Sequence, residues 1–273
     1  MKKLSVSDRD STEKLFESSI YISSHLGWFD LWGLPDNKAG IWLDDFDSGQ
    51  YLIAVQQLDN NLFLLHSFYS TAYPDSYPLK NSLQLILPSG NNSIYTISSH
   101  NWYKDLLERN GFRFHDEIVQ METSKINCIV PSTKLKTKPF PLQQTVEIYQ
   151  KCETAFSPLW RLSLQEFTYA CRTSNYRRII EINGIPAGYL LAEISDENCD
   201  IMRLAASSSY QNKGVGTMLI AQLINDCTQA GISSYTVNTN KRNLPAMQFY
   251  DKLGFRIQEM TYPVYQRYIH VST

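Results

Sequence analysis

The stretch Gln211-Asn212-Lys213-Gly214-Val215-Gly216-Thr217 carries the residue types best suited to holding an anion. It stands between a β-rich run over 200–206 and an amphipathic run with Val215, Leu219, Leu223 and Cys227 at four-residue spacing. A strand that ends in a glycine-bearing loop and opens a helix aims unpaired N–H groups and the positive end of the helix dipole outward. Gly214 and Gly216 leave the backbone open to a bulky pyrophosphate, and Gly214 can take a positive φ closed to most residues. Two common phosphate loops are set aside on residue identity. A P-loop needs Gly-Lys-Ser/Thr, and here Lys213 precedes the glycine. A dinucleotide fingerprint needs a third small residue where Leu219 stands, within a parallel βαβ series that the surrounding sequence lacks.

The elements that would position this loop are legible around it. Helical spacing runs over 143–160 (Val146, Tyr149, Cys152, Phe156) and over 164–171. Strands are expected at 178–182 and 187–194, flanking the turn signal Asn183-Gly184-Ile185-Pro186, and at 200–206. The helix opening at Gly214 should stop at Ala230-Gly231. A strand over 234–239, a helix over 243–253 and two closing strands, 255–262 and 264–270, complete the half. This is an α+β pattern with a mostly antiparallel sheet. Pro and Lys crowd residues 131–141, so the expected division is 1–130, a linker at 131–142, and 143–273.

In that setting the second half resembles the GNAT superfamily of N-acetyltransferases over about 130 residues. The family motif (Arg/Gln)-x-x-Gly-x-(Gly/Ala) matches Gln211, Gly214 and Gly216, after the strand Met202-Arg203-Leu204-Ala205-Ala206. A second hallmark, Asn-x-x-Ala-x-x-(Leu/Phe)-Tyr-x-x-x-Gly-Phe, matches Asn243, Ala246, Phe249, Tyr250, Gly254 and Phe255. The resemblance implies acetyl-coenzyme A as donor and a primary amine, of a small molecule or a peptide, as acceptor. It implies that Leu204, Ala205 and Ala206 splay from the strand 235–239 to admit the pantetheine arm, with an amide near Leu204 or Ala205 polarising the thioester carbonyl. Amides of Asn212, Lys213, Gly214, Val215, Gly216 and Thr217 would hold the pyrophosphate. Tyr250 matches the residue that protonates the departing thiolate in many of these enzymes; a phenol of pKa ~10 gives up its proton only as thiolate charge builds. Asn243 would touch cofactor or substrate, and Asn-Leu-Pro is equally a helix N-cap. Peptide N-terminal acetyltransferases of the family carry a glutamate general base where this chain has Asn238. An amide cannot accept a proton, so either a water chain to Glu193 or Asp200 does so, or the acceptor amine has a lowered pKa.

The first half repeats the pattern without its chemistry. Ser93-Ile94-Tyr95-Thr96-Ile97-Ser98 echoes Ser233-Ser234-Tyr235-Thr236-Val237-Asn238, and each leads into a helix ending in Gly-Phe, at Gly111-Phe112 and Gly254-Phe255. A start helix from Thr12, strands at 50–55 and 61–68, helices at 79–87 and 103–108 and closing strands at 113–122 follow the same order. The expected fold is therefore two tandem acetyltransferase-like domains. Where the first needs a phosphate loop it has Ser70-Thr71-Ala72-Tyr73-Pro74-Asp75-Ser76-Tyr77-Pro78, without glycine and with two prolines that lack N–H donors, and Leu107 takes the place of Tyr250. The aromatic run Trp28-Phe29-Asp30-Leu31-Trp32 is a candidate lining for the acceptor cleft, as is the stretch 156–161.

Composition narrows the partners. With 273 residues, 43% hydrophobic and 12% aromatic, the chain can bury real cores, and a net charge of -2 without like-charge runs shows no footprint for nucleic acid or anionic membrane. Cys128, Cys152, Cys171, Cys199 and Cys227 lack metal-ligand spacing and read as reduced thiols of a cytoplasmic protein. No stretch approaches the ~18 apolar residues of a membrane span. The sequence leaves the acceptor and the oligomeric state open. A non-catalytic acyl-coenzyme A-binding or regulatory module is the competing reading, because Asn238 replaces a base and the first half is already degenerate.

Overall fold

The structure, a computed structural model, describes residues 1–24, 39–47, 49–98, 100–126 and 135–272. The aromatic run 28–32 and residues 131–134 of the expected linker lie outside them. In chain order the described elements are β1 (Lys2–Leu4), α1 (Arg9–Ser18), β2 (Tyr21–Ser24), β3 (Ala39–Phe46), β4 (Gly49–Asp59), β5 (Leu62–Ser70), α2 (Leu79–Ile86), β6 (Gly90–Ile97), α3 (Asn101–Arg109) and β7 (Arg113–Thr123). Then come β8 (Thr137–Pro139), α4 (Thr145–Cys152), α5 (Leu164–Thr173), β9 (Tyr176–Ile182), β10 (Ile185–Ile194), β11 (Asn198–Ala206), α6 (Val215–Gln229), β12 (Ser234–Asn240), α7 (Leu244–Lys252) and β13 (Arg256–Val271). The fold is mixed α+β, and it is built as two compact units. The first unit is Met1–Glu117 with Tyr262–Thr273, and the second is Ile118–Thr261.

The first unit orders its strands β1-β3-β4-β5-β6-β13, with β2 also on β5. Among its described strands only β5 and β6 run parallel, through Leu62 to Leu65 against Ser93 to Thr96. The second unit orders its strands β7-β12-β11-β10-β9-β8, and again one pair, β11 and β12, is parallel. Each sheet is completed by a strand from the other half of the sequence. Ile118 to Thr123 of β7 pair with Asn240 to Tyr235 of β12, while Val264 to Val271 of β13 pair with Ile97 to Gly90 of β6. The cores follow the same exchange: Val119 and Met121 pack in the second unit, Tyr265 and Ile269 in the first.

The repeat is visible in backbone detail. In α3 and α7 the residue four before the terminal glycine accepts the same bond, Phe112 N to Leu107 O at 2.9 Å and Phe255 N to Tyr250 O at 3.0 Å. Gly111 and Gly254 both take positive φ, 74° and 96°, which closes the helix and turns the chain into the last strand.

Within the second unit, β10 is covered on both faces. Ala187, Leu190 and Ala192 face the core under α6 and α7, and Tyr189 and Leu191 face the core under α4 and α5. This double burial accounts for its continuous apolar sequence. Asn183 and Gly184 both have positive φ, 54° and 77°, as a two-residue hairpin turn between right-twisted strands requires. Ser163 and Glu166 form a reciprocal capping box on α5. Cys152, Cys171, Cys199 and Cys227 are buried free thiols, and burial pushes Cys152 and Cys171 up to about 12, so they stay neutral.

Three expectations are corrected. The helix expected over 143–160 ends at Cys152 and tightens into a single 3-10 turn, Glu153–Ala155; it could not have run to 160, because Pro158 lacks a helical N–H and disfavours the α conformation in the residue before it. The two closing strands are one, β13; Pro263 sits within it without breaking it, since proline is tolerated where no ladder N–H is needed, and its carbonyl accepts from Ser98 N at 2.9 Å. Residues 137–139 of the expected linker form β8 on β9, an edge position compatible with Pro139.

Candidate active site

The site is built where β11 and β12 part. Their parallel pairing runs from Asn198 with Ser234 to Ile201 with Val237 and stops there, although β11 continues to Ala206 and β12 to Asn240. The cause is a register shift in β11: Leu191 of β10 faces Arg203, and the next residue, Ala192, faces Ile201. Met202 is therefore the extra residue of a bulge, and a bulge bends its strand and adds twist. Past it, Leu204, Ala205 and Ala206 keep their partners on β10 and have none on β12. Leu204 and Ala206 pack toward the core that holds Tyr250, and Ala205 faces the opposite core.

The loop that follows has the conformation its sequence demands. Asn212 and Gly214 take positive φ, 59° and 82°. Gly214 caps α6 from the left-handed region, and no side chain caps the helix in competition with a ligand. Gln211, Asn212 and Lys213 are exposed, and the Lys213 ammonium lies 5.4 Å from the Tyr210 ring centroid. Gly216 lies against α7 and β11: a Cβ there would meet the Phe249 ring at 3.4 Å and Leu204 Cδ2 at 3.9 Å. The helix start is seated by Gly188 of β10, opposite Ala206. A Cβ at Gly188 would stand 2.4 Å from Val215 Cγ1 and 2.7 Å from the Ala205 carbonyl oxygen. We expect Gly188→Ala to lower stability by about 1–3 kcal/mol in urea unfolding, the usual cost of overpacking, and to weaken any ligand held by the amides of α6. An unchanged midpoint would show that Val215 is free to move aside.

Tyr250 lies on α7 with 5% of its surface exposed, between Phe249 and Phe255 at 5.3 and 5.4 Å between ring centroids. Burial raises its hydroxyl above the usual phenol range. Asn243 accepts from Ala246 N at 3.3 Å and caps α7, so its side chain is engaged in the helix start. Asn238 is exposed and faces Gln120 across the β12–β7 ladder. Of the two carboxylates expected as alternatives to a base there, Asp200 accepts from Thr236 Oγ1 at 2.9 Å, and Glu193 lies within reach of Asn175 Nδ2 at 3.4 Å. They face each other across the β10–β11 pair, on the paired side of the bulge.

A buried ion pair beside the splay was not foreseen. Arg203 donates to Glu153 through Nε at 2.8 Å and Nη2 at 2.6 Å, and Nη2 also reaches the Trp160 carbonyl at 2.9 Å. Its guanidinium lies 3.8 Å from the Phe156 ring centroid. The Tyr189 hydroxyl donates to Glu153 and accepts from Arg203 Nε at 3.1 Å. Burial lowers the Arg203 pKa, yet the bonds to Glu153 and Tyr189 outweigh it and the net shift is upward; burial, then the Glu153 charge, drives Tyr189 well above the phenol range. Only the separation of 50 residues between Arg203 and Glu153 hid this pair, since neither breaks a strand or helix pattern.

The first unit closes the equivalent gap with its own chain. Its parallel pair also stops after four residues, at Leu65 and Thr96, and the rest of β5 is taken by β2, Ser67 to Ser70 against Ser24 to Tyr21. In the loop that follows, Tyr77 is 1% exposed, stacks on Tyr51 at 4.0 Å and donates to Asp44 at 2.9 Å. Backbone and side chains thus occupy the places left open around β11 and α6.

Among the described residues these features give a tandem of acetyltransferase-like units with an open strand junction in the second. Across nearly its whole length the chain superposes on a tandem GNAT protein from the clavulanic acid biosynthesis pathway, with a TM-score of 0.59 over 99% of this chain and 98% of that one at 11% identity. A GCN5-related N-acetyltransferase from Sphaerobacter thermophilus gives 0.57 over 91% and 88% at 12% identity, and a GNAT-family acetyltransferase from Colwellia psychrerythraea gives 0.55 over 98% of each at 14%. At such identities the likeness is one of fold. The model of the Acetyltransferase (GNAT) family matches residues 142–255. Among curated proteins it is 26% identical over 80 residues to the uncharacterized N-acetyltransferase YvbK of Bacillus subtilis, covering 29% of this chain and 52% of that protein. YxbD of the same organism is 29% identical over 73 residues, 27% of this chain and 45% of that one. The chain thus spans about half the length of these relatives.

Proposed function

We propose that this acyltransferase-family chain is a cytoplasmic N-acetyltransferase that passes an acetyl group from acetyl-coenzyme A to a primary amine, with donor binding and chemistry confined to the second unit. The observation that carries the reading is the end of β11–β12 pairing at Ile201 and Val237, followed directly by the positive-φ loop that opens α6. The residues fit the donor: Asn212 and Gly214 bend the loop into an anion-binding concavity, and the uncapped start of α6 offers amides to a pyrophosphate. The unpaired edges of Leu204, Ala205 and Ala206 offer a backbone ladder to an extended pantetheine arm, as strand addition does elsewhere. Acetyl-coenzyme A supplies a thioester acyl group at that edge.

Within this reading an amide near Leu204 or Ala205 polarises the carbonyl, Asn243 contacts cofactor or substrate from the start of α7, and Tyr250 holds a proton for the departing sulfur. Burial raises the Tyr250 pKa, so the hydroxyl remains a donor up to and beyond pH ~10. The sign follows: kcat should show no descending limb from Tyr250 between pH ~7 and ~10, because its protonated form is lost only above its raised pKa. A limb near pH ~9 present in the wild type and absent in Tyr250→Phe would contradict this.

Thiol release with acetyl-coenzyme A and a panel of amines tests the function. Tight coenzyme A binding with no turnover on any amine would favour the non-catalytic module. Titration should give one coenzyme A per chain, because β2 fills the first unit's gap, and a Gly214→Val variant should lose that single site. Two equivalents per chain would refute the assignment to the second unit.

A further inference from the structure

Residues 153–162 hang on β11 at Arg203, the residue before the splayed Leu204, through Glu153, the Trp160 carbonyl and the Phe156 ring. A second guanidinium sits in the same place. Arg161 donates through Nη2 to the Phe156 carbonyl at 3.1 Å, and its Nε is buried with no hydrogen-bond partner. Glu153 is consumed by Arg203, and it also accepts from Leu162 N at 3.2 Å. Glu166, the next carboxylate along the chain, is held by the Ser163 amide at 2.6 Å in the capping box of α5. Among the described residues Arg161 makes no salt bridge, although a half-buried guanidinium with an idle N–H ordinarily finds one.

We propose that Arg161 is the anchor for a carboxylate on the acceptor, so that the enzyme acetylates amines that also carry an acid group, such as amino acids, rather than simple alkylamines. The inference rests on the acetyl-transfer reading and deepens it. A carboxylate entering beside Phe156 and Trp160 would give the idle Nε an acceptor and give Arg161 an ion-pair partner next to the splayed strand. The amine at the other end of the same molecule would then be held toward the edge at Leu204. The ion pair of Glu153 and Arg203 fixes the loop that carries Arg161, which keeps that guanidinium at a set place relative to β11.

The test uses acceptor pairs that differ only in the carboxylate: L-leucine and isoamylamine, L-phenylalanine and phenethylamine, 4-aminobutyrate and propylamine. In the wild type at least one acid should exceed its partner in kcat/KM on the order of 10- to 100-fold, the worth of a charged hydrogen-bond pair. In Arg161→Gln that ratio should collapse toward one through a rise in KM, with coenzyme A affinity unchanged, and Arg161→Lys should restore part of it. Amines without a carboxylate preferred throughout, or a preference that survives Arg161→Gln, would overturn the inference. Absence of turnover with every amine counts against acetyl transfer itself. The anchor is then judged by equilibrium binding of the same pairs to the coenzyme A complex, where equal affinities within each pair overturn it and a preference for the acid that Arg161→Gln removes supports it.

Discussion

Tyr250→Phe is expected to lower kcat for acetyl transfer by roughly 10²-fold, within the range a positioned proton donor contributes, while coenzyme A affinity stays within about two-fold. The change removes one oxygen from a side chain that is 5% exposed and keeps the ring that packs between Phe249 and Phe255. Stability should hold, because the ring that packs in the core is unchanged. Equal kcat for both proteins would assign Tyr250 to the core alone, a role its neighbours Val237 and Leu253 already suggest. A fall in coenzyme A affinity matching the fall in rate would mean that the oxygen binds the donor and does not move a proton.

Arg203→Met should be the most damaging single substitution for stability, at about 3–5 kcal/mol in urea unfolding. The loss comes less from the attraction between the pair than from what remains: the Glu153 carboxylate, 1% exposed, without its cation. The double variant Glu153→Gln with Arg203→Met should recover much of the deficit, since an amide needs no countercharge and methionine fills an irregular space. Additive losses in the double variant would show that the two residues stabilise the unit independently. The single variant should also loosen residues 153–162 and raise the acceptor KM before it affects donor binding.

How much of this was legible beforehand depends on the range over which each feature is decided. The loop at 211–217, the turn at Asn183-Gly184 and the Asn243 cap are decided by a few adjacent residues, and the positive φ at Gly214 and the cap bond to Ala246 stand where the sequence put them. Asn212, by contrast, takes a left-handed conformation that only its amide side chain hinted at. The bulge at Met202 had no local signal at all, since an apolar strand reads the same with one extra residue. Arg203 and Glu153 are chemically distinctive, but their meeting depends on tertiary packing that no periodicity encodes. The order of strands in each sheet was equally hidden: β7 and β13 have similar patterns, and nothing in either says which parallel pair it will join.

That choice of partners bears on how the protein can be made. During synthesis β6 emerges long before β13, so the first unit spends most of translation with an unclaimed sheet edge, while β7, already made, waits for β12. Edges of this kind invite wrong pairing, β7 on β6 of the same half being the nearest available error. A gene cut at the midpoint would make that error permanent, and co-expressed halves would have to find each other to repair it. Circular permutation or fusion schemes that treat residues 131–142 as a neutral joint would therefore yield aggregation where two domains were intended.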